Sequence, residues 1–269
     1  MSIRRRIDRA IDWVGDLPGI VQMRQHRYER QFIANTDRNL FRGVYASFDE
    51  AAASAPKTRP TGYDNPDSAQ IVYGHQVMFY DYPAMFWIAQ GLHNGLRSVL
   101  DLGGHVGVKY YAFRRPMNFP ADLRWTVCDV PAVAEQGRTL AHKLDPERRL
   151  QFTADTAALN QHEILYASGS LQYLPYTLGE LLGGWQRKPK RIVLNITAVH
   201  PERSYFTLNS IGTAFCAYRV QSHAQLVDDV AKCGYALVGN WQNIGKNLDL
   251  PFHEGLSLEH YSGYCFDLQ

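Results

Sequence analysis

The stretch Ser98-Val-Leu-Asp-Leu-Gly-Gly-His-Val-Gly107 decides the fold of this chain. It reads as a short apolar strand that carries an acid near its end, followed by a glycine-rich turn and the start of a helix. Glycine has no Cβ, so it permits a tight turn at positive φ and lets a ligand approach the main chain. The N–H groups and the positive dipole end of the next helix would face that ligand. The stretch therefore predicts a nucleotide-type ligand at a strand-to-helix turn.

After residue 96 the chain alternates short apolar runs with longer mixed stretches, which is typical of βαβ units. We expect helices between the strands, at 106–115, 131–143, 178–185 and 222–233. The seven expected strands are 98–102, 124–128, 150–153, 163–167, 191–196, 235–241 and 261–268. This order predicts an α/β fold with a doubly wound, mostly parallel seven-stranded sheet, whose ligand lies beyond the carboxyl ends of the strands. We assign 96–269 to this ligand-binding domain and 1–95 to an N-terminal helical extension and lid.

The N-terminal region has a different pattern. Four apolar residues fall near helical spacing among arginines in residues 1–30, at Ile3, Ile7, Ile11 and Val14. Such a basic amphipathic helix would attach to an anionic membrane surface, or pack on its own domain or on a second copy in a homodimer. Residues 40–70 look like a lid or entry region rather than a sheet, with Ser47 capping a helix and Glu50 completing a capping box. The aromatic residues 68–95 predict two helical pieces.

Composition excludes several functional classes. A formal net charge of +2, with Lys and Arg spread out after the N-terminus, argues against a nucleic-acid partner. The four cysteines lie far apart and show no metal-ligand spacing, which favours a reducing, cytoplasmic location. The longest apolar runs are broken by polar residues well before the roughly 20 residues that span a bilayer.

Acidic residues follow three successive strands. In the dinucleotide fingerprint the first glycine follows the strand directly and phosphates occupy the helix N-terminus. Asp101 would instead bring a carboxylate there, which suits a ligand with a cationic tail. Asp129, after the second strand, would accept the ribose hydroxyl hydrogens, and Asp155, after the third, the adenine amino group. The full set of predicted ligand-binding residues is Asp101, Gly103, Gly104, Gly107, Asp129, Val130, Asp155, Thr156, Ser168 and Gly169.

Two of these segments resemble class I S-adenosylmethionine-dependent methyltransferases: Asp101-Leu-Gly-Gly-His-Val-Gly107 followed by Tyr110, and Val127-Cys-Asp-Val-Pro-Ala-Val133. Four more are similar to a bacterial group of methyltransferases often encoded with surface-polysaccharide genes, namely Gly43–Ala51, Gly62–Asp64, Ser170–Pro175 and Thr207–Arg219. The resemblance covers about residues 40–269 and implies a Rossmann-like fold, S-adenosylmethionine as cofactor and a sugar or glycolipid-linked acceptor. His105 departs from the pattern, since most turns of this class have a further glycine there.

Methyl transfer from a sulfonium to a hydroxyl is an in-line displacement, so the site must align the acceptor, exclude water and remove a proton. The reaction requires no metal. Histidine is the usual base near neutral pH, and His200, after the fifth strand, is the candidate catalytic base. The predicted acceptor-binding residues are His75, Tyr173, Tyr205, Asn209, Tyr218 and Arg219.

Other interpretations stay open from the sequence alone. The segment 205–219 is also compatible with an inserted loop that packs on the sheet edge. A tyrosine-rich lid suits N- or O-methylation of a small aromatic natural product as well as it suits a sugar. A non-catalytic binding module with the same fold is a further alternative, and a nicotinamide-dependent dehydrogenase ranks lowest because its glycine pattern is not met.

Overall fold

The computed structural model of the chain describes residues 18–65, 67, 74–155 and 161–269. The apolar positions of the expected N-terminal basic helix lie outside the described residues, and so does Thr156. The membrane and dimer contacts expected of that helix therefore stay predictions.

The helices and strands are as follows. The helices are α1 Pro18–Ala34, α2 Phe48–Ala53, α3 Tyr82–His93, α4 Val108–Phe113, α5 Pro131–Leu144, α6 Leu178–Gly183 and α7 His223–Ala231. The strands are β1 Leu40–Tyr45, β2 Ser98–Leu102, β3 Arg124–Cys128, β4 Leu150–Thr153, β5 Ile164–Ser168, β6 Arg191–Thr197, β7 Val199–His200, β8 Tyr205–Ser210, β9 Phe215–Ser222, β10 Tyr235–Asn243 and β11 Tyr261–Leu268. Single 3-10 turns occupy Phe79–Asp81 and Leu171–Tyr173.

The main sheet has seven strands in the order β10-β11-β6-β5-β2-β3-β4. Strands β4, β3, β2, β5 and β6 are parallel, and β11 runs antiparallel to both of its neighbours. The expected doubly wound, mostly parallel sheet is therefore confirmed. All seven expected strands and all four expected helices of this region occur within two residues of their predicted ends.

Helices cover both faces of this sheet, which explains why its strands read as near-continuous apolar runs. Every residue of β2 is buried. On one face α3 and α4 pack over a cluster that includes Trp125 and Tyr166. On the other face α6 and α7 pack over Leu100, Leu165 and Ile192. The two layers leave the carboxyl ends of the parallel strands open on one edge.

A second sheet stands beside that edge, with four strands in the order β1-β8-β9-β7. Its strand β1 pairs antiparallel with β8, with Leu40 opposite Ser210. The expectation that residues 40–70 form a lid rather than a sheet is therefore wrong for Leu40–Tyr45. Strand β1 is short and its partner β8 lies far away in the chain, so the local sequence does not reveal this pairing. Likewise, 205–222 form the hairpin of β8 and β9, where the sequence suggested a polar binding segment or a loop.

The local predictions for the N-terminal region hold in part. The Ser47 hydroxyl accepts the N–H of Glu50 at 3.0 Å, so the predicted helix cap is confirmed. The Glu50 carboxylate accepts the N–H of Ala46, one residue before the position that a capping box requires. Of the two helical pieces expected in 68–95, the described residues form one helix, α3, preceded by the turn Phe79–Asp81. None of the helices in the described part of the chain combines the length and the hydropathy needed to cross a bilayer.

Candidate active site

A cavity of about 970 Å³ opens at the carboxyl ends of β2, β3, β5 and β6. Its floor is the glycine-rich turn after β2. Residues 61–64, 74, 76, 78 and 80 line it from the N-terminal region, and Cys216 and Ala217 of β9 line it from the second sheet. A doubly wound sheet places its ligand at this edge, so the cavity occupies the expected position.

The glycines of the turn are required by close packing. Gly103 has φ +71°, and its N–H donates to the Cys128 carbonyl at 2.7 Å, which fastens the turn to β3. A Cβ at Gly103 would lie 3.0 Å from the Ser170 hydroxyl oxygen. A Cβ at Gly104 would overlap the carboxylate of Asp101, whose Oδ1 lies 2.8 Å from that position. The turn therefore rests directly on a buried acid.

Asp101 has a side chain that is 1% exposed and borders the cavity from below the turn. Its Oδ2 accepts the indole N–H of Trp125 at 3.1 Å. Burial raises the pKa of Asp101 to about 7, because the charged carboxylate has lost most of its hydration. A cationic group in the cavity would stabilise the ionised form of this acid.

Asp129 holds the turn from the neighbouring strand. Its Oδ2 accepts the N–H of His105 and its Oδ1 accepts the N–H of Val130, both at 2.8 Å. Burial raises the pKa of Asp129, and these two hydrogen bonds oppose that shift. A carboxylate oxygen has two lone pairs, so each oxygen keeps one for a further donor such as a ribose hydroxyl.

His105 adopts φ +54°, the left-handed conformation that a glycine would take at this position. Its side chain is buried, and its ring meets the ring of Tyr63 edge to face at 6.2 Å. The departure from the family's glycine pattern is therefore accommodated by the backbone. It leaves a non-glycine residue in a conformation that usually costs energy.

Seven of the ten predicted ligand-binding residues border the cavity: Asp101, Gly103, Gly104, Asp129, Val130, Ser168 and Gly169. Gly107 is not among the described lining residues. It begins α4 at φ +88°, and a Cβ there would meet the side chain of Leu150. Asp155 is exposed, while its neighbour Ala154 lines the cavity. The structure thus gives Gly107 a packing role and places Asp155 just outside.

Tyr173 is the predicted acceptor-binding residue that the structure brings to the cavity. Its hydroxyl donates to Oδ1 of Asn209 at 2.9 Å. Asn209 is fully buried, and its amide donates to the Leu40 carbonyl of β1 at 3.1 Å. Tyr218 packs edge to face on Tyr173 and donates its hydroxyl to that of Tyr261. Asn209 and Tyr218 therefore hold Tyr173 in position and do not themselves line the cavity.

The remaining predicted residues do not border the cavity in the described structure. Tyr205 donates its hydroxyl to the Leu256 carbonyl. Arg219 donates to the Pro175 carbonyl at 2.9 Å and lies over the ring of Phe206. His75 packs against Tyr111, and burial lowers its pKa. Each of these side chains has a packing role where the structure places it.

His200 is also placed away from the cavity. Its Nε2 pairs with the Gly255 carbonyl at 2.8 Å, and its Nδ1 accepts the N–H groups of Glu202 and Arg203, both at 3.0 Å. The ring therefore has no lone pair left to take a proton from a substrate. The structure assigns it to the turn after β7 rather than to catalysis.

Several cavity residues escaped the sequence analysis, among them Lys109, Lys246, Tyr80, Asp64 and Ile196. Lys109 lies two residues after Gly107, and its closeness to the glycine-rich turn could have indicated that it lines the cavity. Lys246 lies in the irregular connection between β10 and β11, where no pattern points to it. Ile196 has φ +51°, an unusual conformation for a β-branched residue, and this cannot be read from composition.

Comparisons with known proteins were made by sequence and by fold. No protein-family model and no curated protein sequence matches the chain. Among solved structures, it is similar to magnesium protoporphyrin IX methyltransferase from Synechocystis PCC 6803 with bound SAM, at 13% identity and a TM-score of 0.45, covering 71% of this chain and 78% of that one. It is also similar to 1,6-didemethyltoxoflavin-N1-methyltransferase from Burkholderia thailandensis with bound S-adenosylhomocysteine, at 16% identity and 0.46, covering 74% and 93%. The CcbJ methyltransferase from Streptomyces caelestis matches at 13% and 0.45, covering 76% and 95%. Function is therefore argued from the cavity itself.

Proposed function

We propose that the protein is a class I S-adenosylmethionine-dependent methyltransferase. The observation that carries this proposal is the meeting of two acids, the buried Asp101 and the half-buried Asp129, with one glycine turn in a single cavity. Asp101 lies under the turn, and Asp129 holds the turn by the N–H of His105. A dinucleotide pyrophosphate would bring negative charge against these carboxylates, whereas S-adenosylmethionine brings a cationic amino group and a sulfonium.

We call the part of the cavity around the glycine-rich turn the cofactor end. Its residues match successive parts of the cofactor. Gly103 and Gly104 expose main chain to the amino acid end, and Asp101 offers it a negative charge. Asp129 has lone pairs for the ribose hydroxyls. Val130 and Ala154 line the cavity beyond Asp129, where the adenine would lie. In this arrangement the reactive methyl group points past Ser168 and Gly169 toward Tyr173.

The acceptor in this proposal is a small molecule with a hydroxyl group, methylated on oxygen. The resemblance to methyltransferases encoded with surface-polysaccharide genes supports a sugar or glycolipid-linked acceptor. The chain's part in the reaction is to align the acceptor with the sulfonium methyl and to exclude water. Localisation in the cytoplasm follows from the same proposal, because the cofactor is made there.

A small aromatic acceptor, methylated on nitrogen or oxygen, is the second candidate. It is favoured by the rings that line the cavity, namely Phe48, Tyr63, Tyr80, Tyr173 and Tyr176. Flat acceptors stack on such rings, and so do the apolar faces of sugars. Turnover with representatives of each class distinguishes the two.

Calorimetry with S-adenosylmethionine, S-adenosylhomocysteine and NAD tests the proposal. We expect both sulfur nucleosides to bind and NAD not to bind. Asp129→Ala should weaken their binding by about 1–3 kcal/mol, the scale for hydrogen bonds to a charged group. Asp122→Ala, which removes an acid whose side chain is 71% exposed, is the matched control and should leave binding unchanged. If neither sulfur nucleoside binds the wild-type protein, the proposed function is wrong.

A further inference from the structure

One corner of the cavity is positively charged. Tyr80, Lys109 and Lys246 line it. The Lys246 ammonium lies 5.2 Å from the centre of the Tyr80 ring, and the Lys109 ammonium lies 5.9 Å from the same centre. Two cations that share one ring repel each other unless anions compensate them.

Lys109 is paired with the carboxylate of Asp81. Its Nζ lies 2.8 Å and 2.7 Å from the two carboxylate oxygens of Asp81. Asp81 is fully buried and also accepts the N–H of Met78 at 3.0 Å and the side-chain amide of Asn195 at 3.2 Å. With its geometry fixed in this way, the carboxylate neutralises Lys109 and has little capacity left for a second cation.

Lys246 has no such partner. Among the residues that the structure describes, no carboxylate lies within the 4.0 Å of an ion pair from its ammonium. As far as the described residues go, the corner therefore carries one positive charge without a compensating carboxylate, on the wall of the cavity. In such a place an anion gains more from the charge than it would in water, because the surrounding dielectric constant is lower.

The corner extends from the glycine-rich turn toward β6. Lys109, in the first turn of α4, lies close enough to Asp101 to lower the pKa of that acid, whereas Lys246 enters from the connection after β10. Asn243, at the end of β10, donates to the Tyr80 carbonyl at 3.3 Å and accepts the N–H of Ile196 at 2.9 Å. Ile196 is the second-last residue of β6, whereas Asp101 lies in β2 and Asp129 directly follows β3. In the order of the sheet, β10, β11 and β6 all lie on the same side of β5 and β2. Lys246 thus reaches the cavity from the β6 side of the sheet rather than from the β3 side.

We propose that Lys246, together with Tyr80, forms a carboxylate-binding subsite, so that the molecule bound there carries an acidic group. The inference rests on the proposed function for the division of the cavity into two ends. The entry of Lys246 from beside β6 favours an acidic acceptor, such as a uronic acid or an aromatic acid. The carboxylate of the cofactor's own amino acid end has the same chemistry and is the other source.

Two titrations distinguish the sources. In the first, wild-type protein and the variants Lys246→Gln, Lys246→Arg and Lys232→Gln are titrated with S-adenosylhomocysteine and with 5′-methylthioadenosine, which lacks the amino acid end. In the second, the same proteins, saturated with S-adenosylhomocysteine, are titrated with benzoate and with the neutral benzamide, followed by NMR shifts of the cavity residues. Lys246→Arg retains the charge, and Lys232→Gln removes a lysine charge whose side chain is 76% exposed.

For an acidic acceptor we expect benzoate to bind the wild type and Lys246→Arg, and to bind Lys246→Gln at least tenfold more weakly. Benzamide and both nucleosides should then bind all four proteins equally. A tenfold loss confined to S-adenosylhomocysteine would place the cofactor's carboxylate in the same subsite. Equal binding of every ligand by wild type and Lys246→Gln would overturn the subsite. Failure of the wild type to bind either nucleoside would instead count against the proposed function, and benzoate without nucleoside would still report on Lys246.

Discussion

The two ends of the cavity are built by different means. At the end that we propose for the cofactor, main-chain turns and acids follow neighbouring parallel strands, and each element is complete within a few consecutive residues. At the end that we propose for the acceptor, the wall includes Tyr173 and two residues, Cys216 and Ala217, of a four-stranded sheet whose first strand pairs with a strand far along the chain. The first end depends on local backbone geometry, and the second depends on tertiary hydrogen bonds such as that between Tyr173 and Asn209.

The largest expected effect falls on the cofactor end. Gly104→Ala places a Cβ against the Asp101 carboxylate, with Oδ1 at 2.8 Å, so either the turn or the buried acid must move. We expect a loss of about 3 kcal/mol or more in the free energy of unfolding, and S-adenosylhomocysteine binding too weak for calorimetry. Gly183→Ala is the control, because nothing lies within 4 Å of its Cβ position. Wild-type binding by Gly104→Ala would show that the turn is less tightly built than its geometry indicates.

The next effect tests the acceptor end. Asn209→Ala removes the acceptor of the Tyr173 hydroxyl and the donor to the Leu40 carbonyl, and leaves both groups without their partner. We expect a loss of about 1–3 kcal/mol in the free energy of unfolding, measured by urea denaturation. The affinity for S-adenosylhomocysteine should stay unchanged, because Asn209 does not contact the cofactor end. A parallel fall in that affinity would show that the two ends are coupled rather than separate.

The titration of Asp101 is expected to have a smaller effect per pH unit, spread over several pH units. Its folded-state pKa of about 7 lies above the ordinary value of 3.8, so the unfolded chain releases this proton first as the pH rises. Asp101 therefore favours the folded state most below about pH 4, and this contribution is lost between pH 4 and 7. The loss is at most about 1.4 kcal/mol per pH unit in that window. In urea titrations at several pH values, Asp101→Asn should flatten this part of the profile. An unchanged slope would assign the pH dependence to other groups.

The smallest effect concerns His105. Its φ of +54° is strained for a residue with a Cβ, and glycine adopts it without cost. Because glycine also adds entropy to the unfolded chain, we expect His105→Gly to change the free energy of unfolding by at most about 1 kcal/mol. Thermal unfolding with and without S-adenosylhomocysteine measures both stability and binding. A large loss of binding would show that the imidazole itself contacts the cofactor.

The contrast between the ends explains how far the sequence alone could lead. The seven strands of the main sheet were predicted because a strand buried on both faces is a short apolar run bounded by turn residues. The same apolar runs locate the strand ends and therefore the acids that stand there. Of these acids, Asp101 and Asp129 border the cavity.

What could not be predicted depends on contacts between distant segments. Strand β1 is recognisable only through its partner β8. Asn209 resembles a ligand-binding amide until its hydrogen bonds to Tyr173 and Leu40 are known. His200 lies near a strand end, as a base would, and only its three hydrogen bonds show that it belongs to a turn. Lys246 belongs to an irregular connection, so its place beside Tyr80 is a property of the folded chain.

The pairing of β1 with β8 also has a kinetic consequence. The βαβ units of the main sheet form from neighbouring segments, whereas the hydrogen bond from Asn209 to Leu40 joins residues 169 positions apart. Closing so long a loop costs entropy before any contact repays it, and such contacts form late in folding. During refolding, pulse-labelled hydrogen exchange should therefore protect the amides of β2 and β3 before those of β1 and β8. The wall that we propose for the acceptor would be completed last, beside a glycine-rich turn that is already in place.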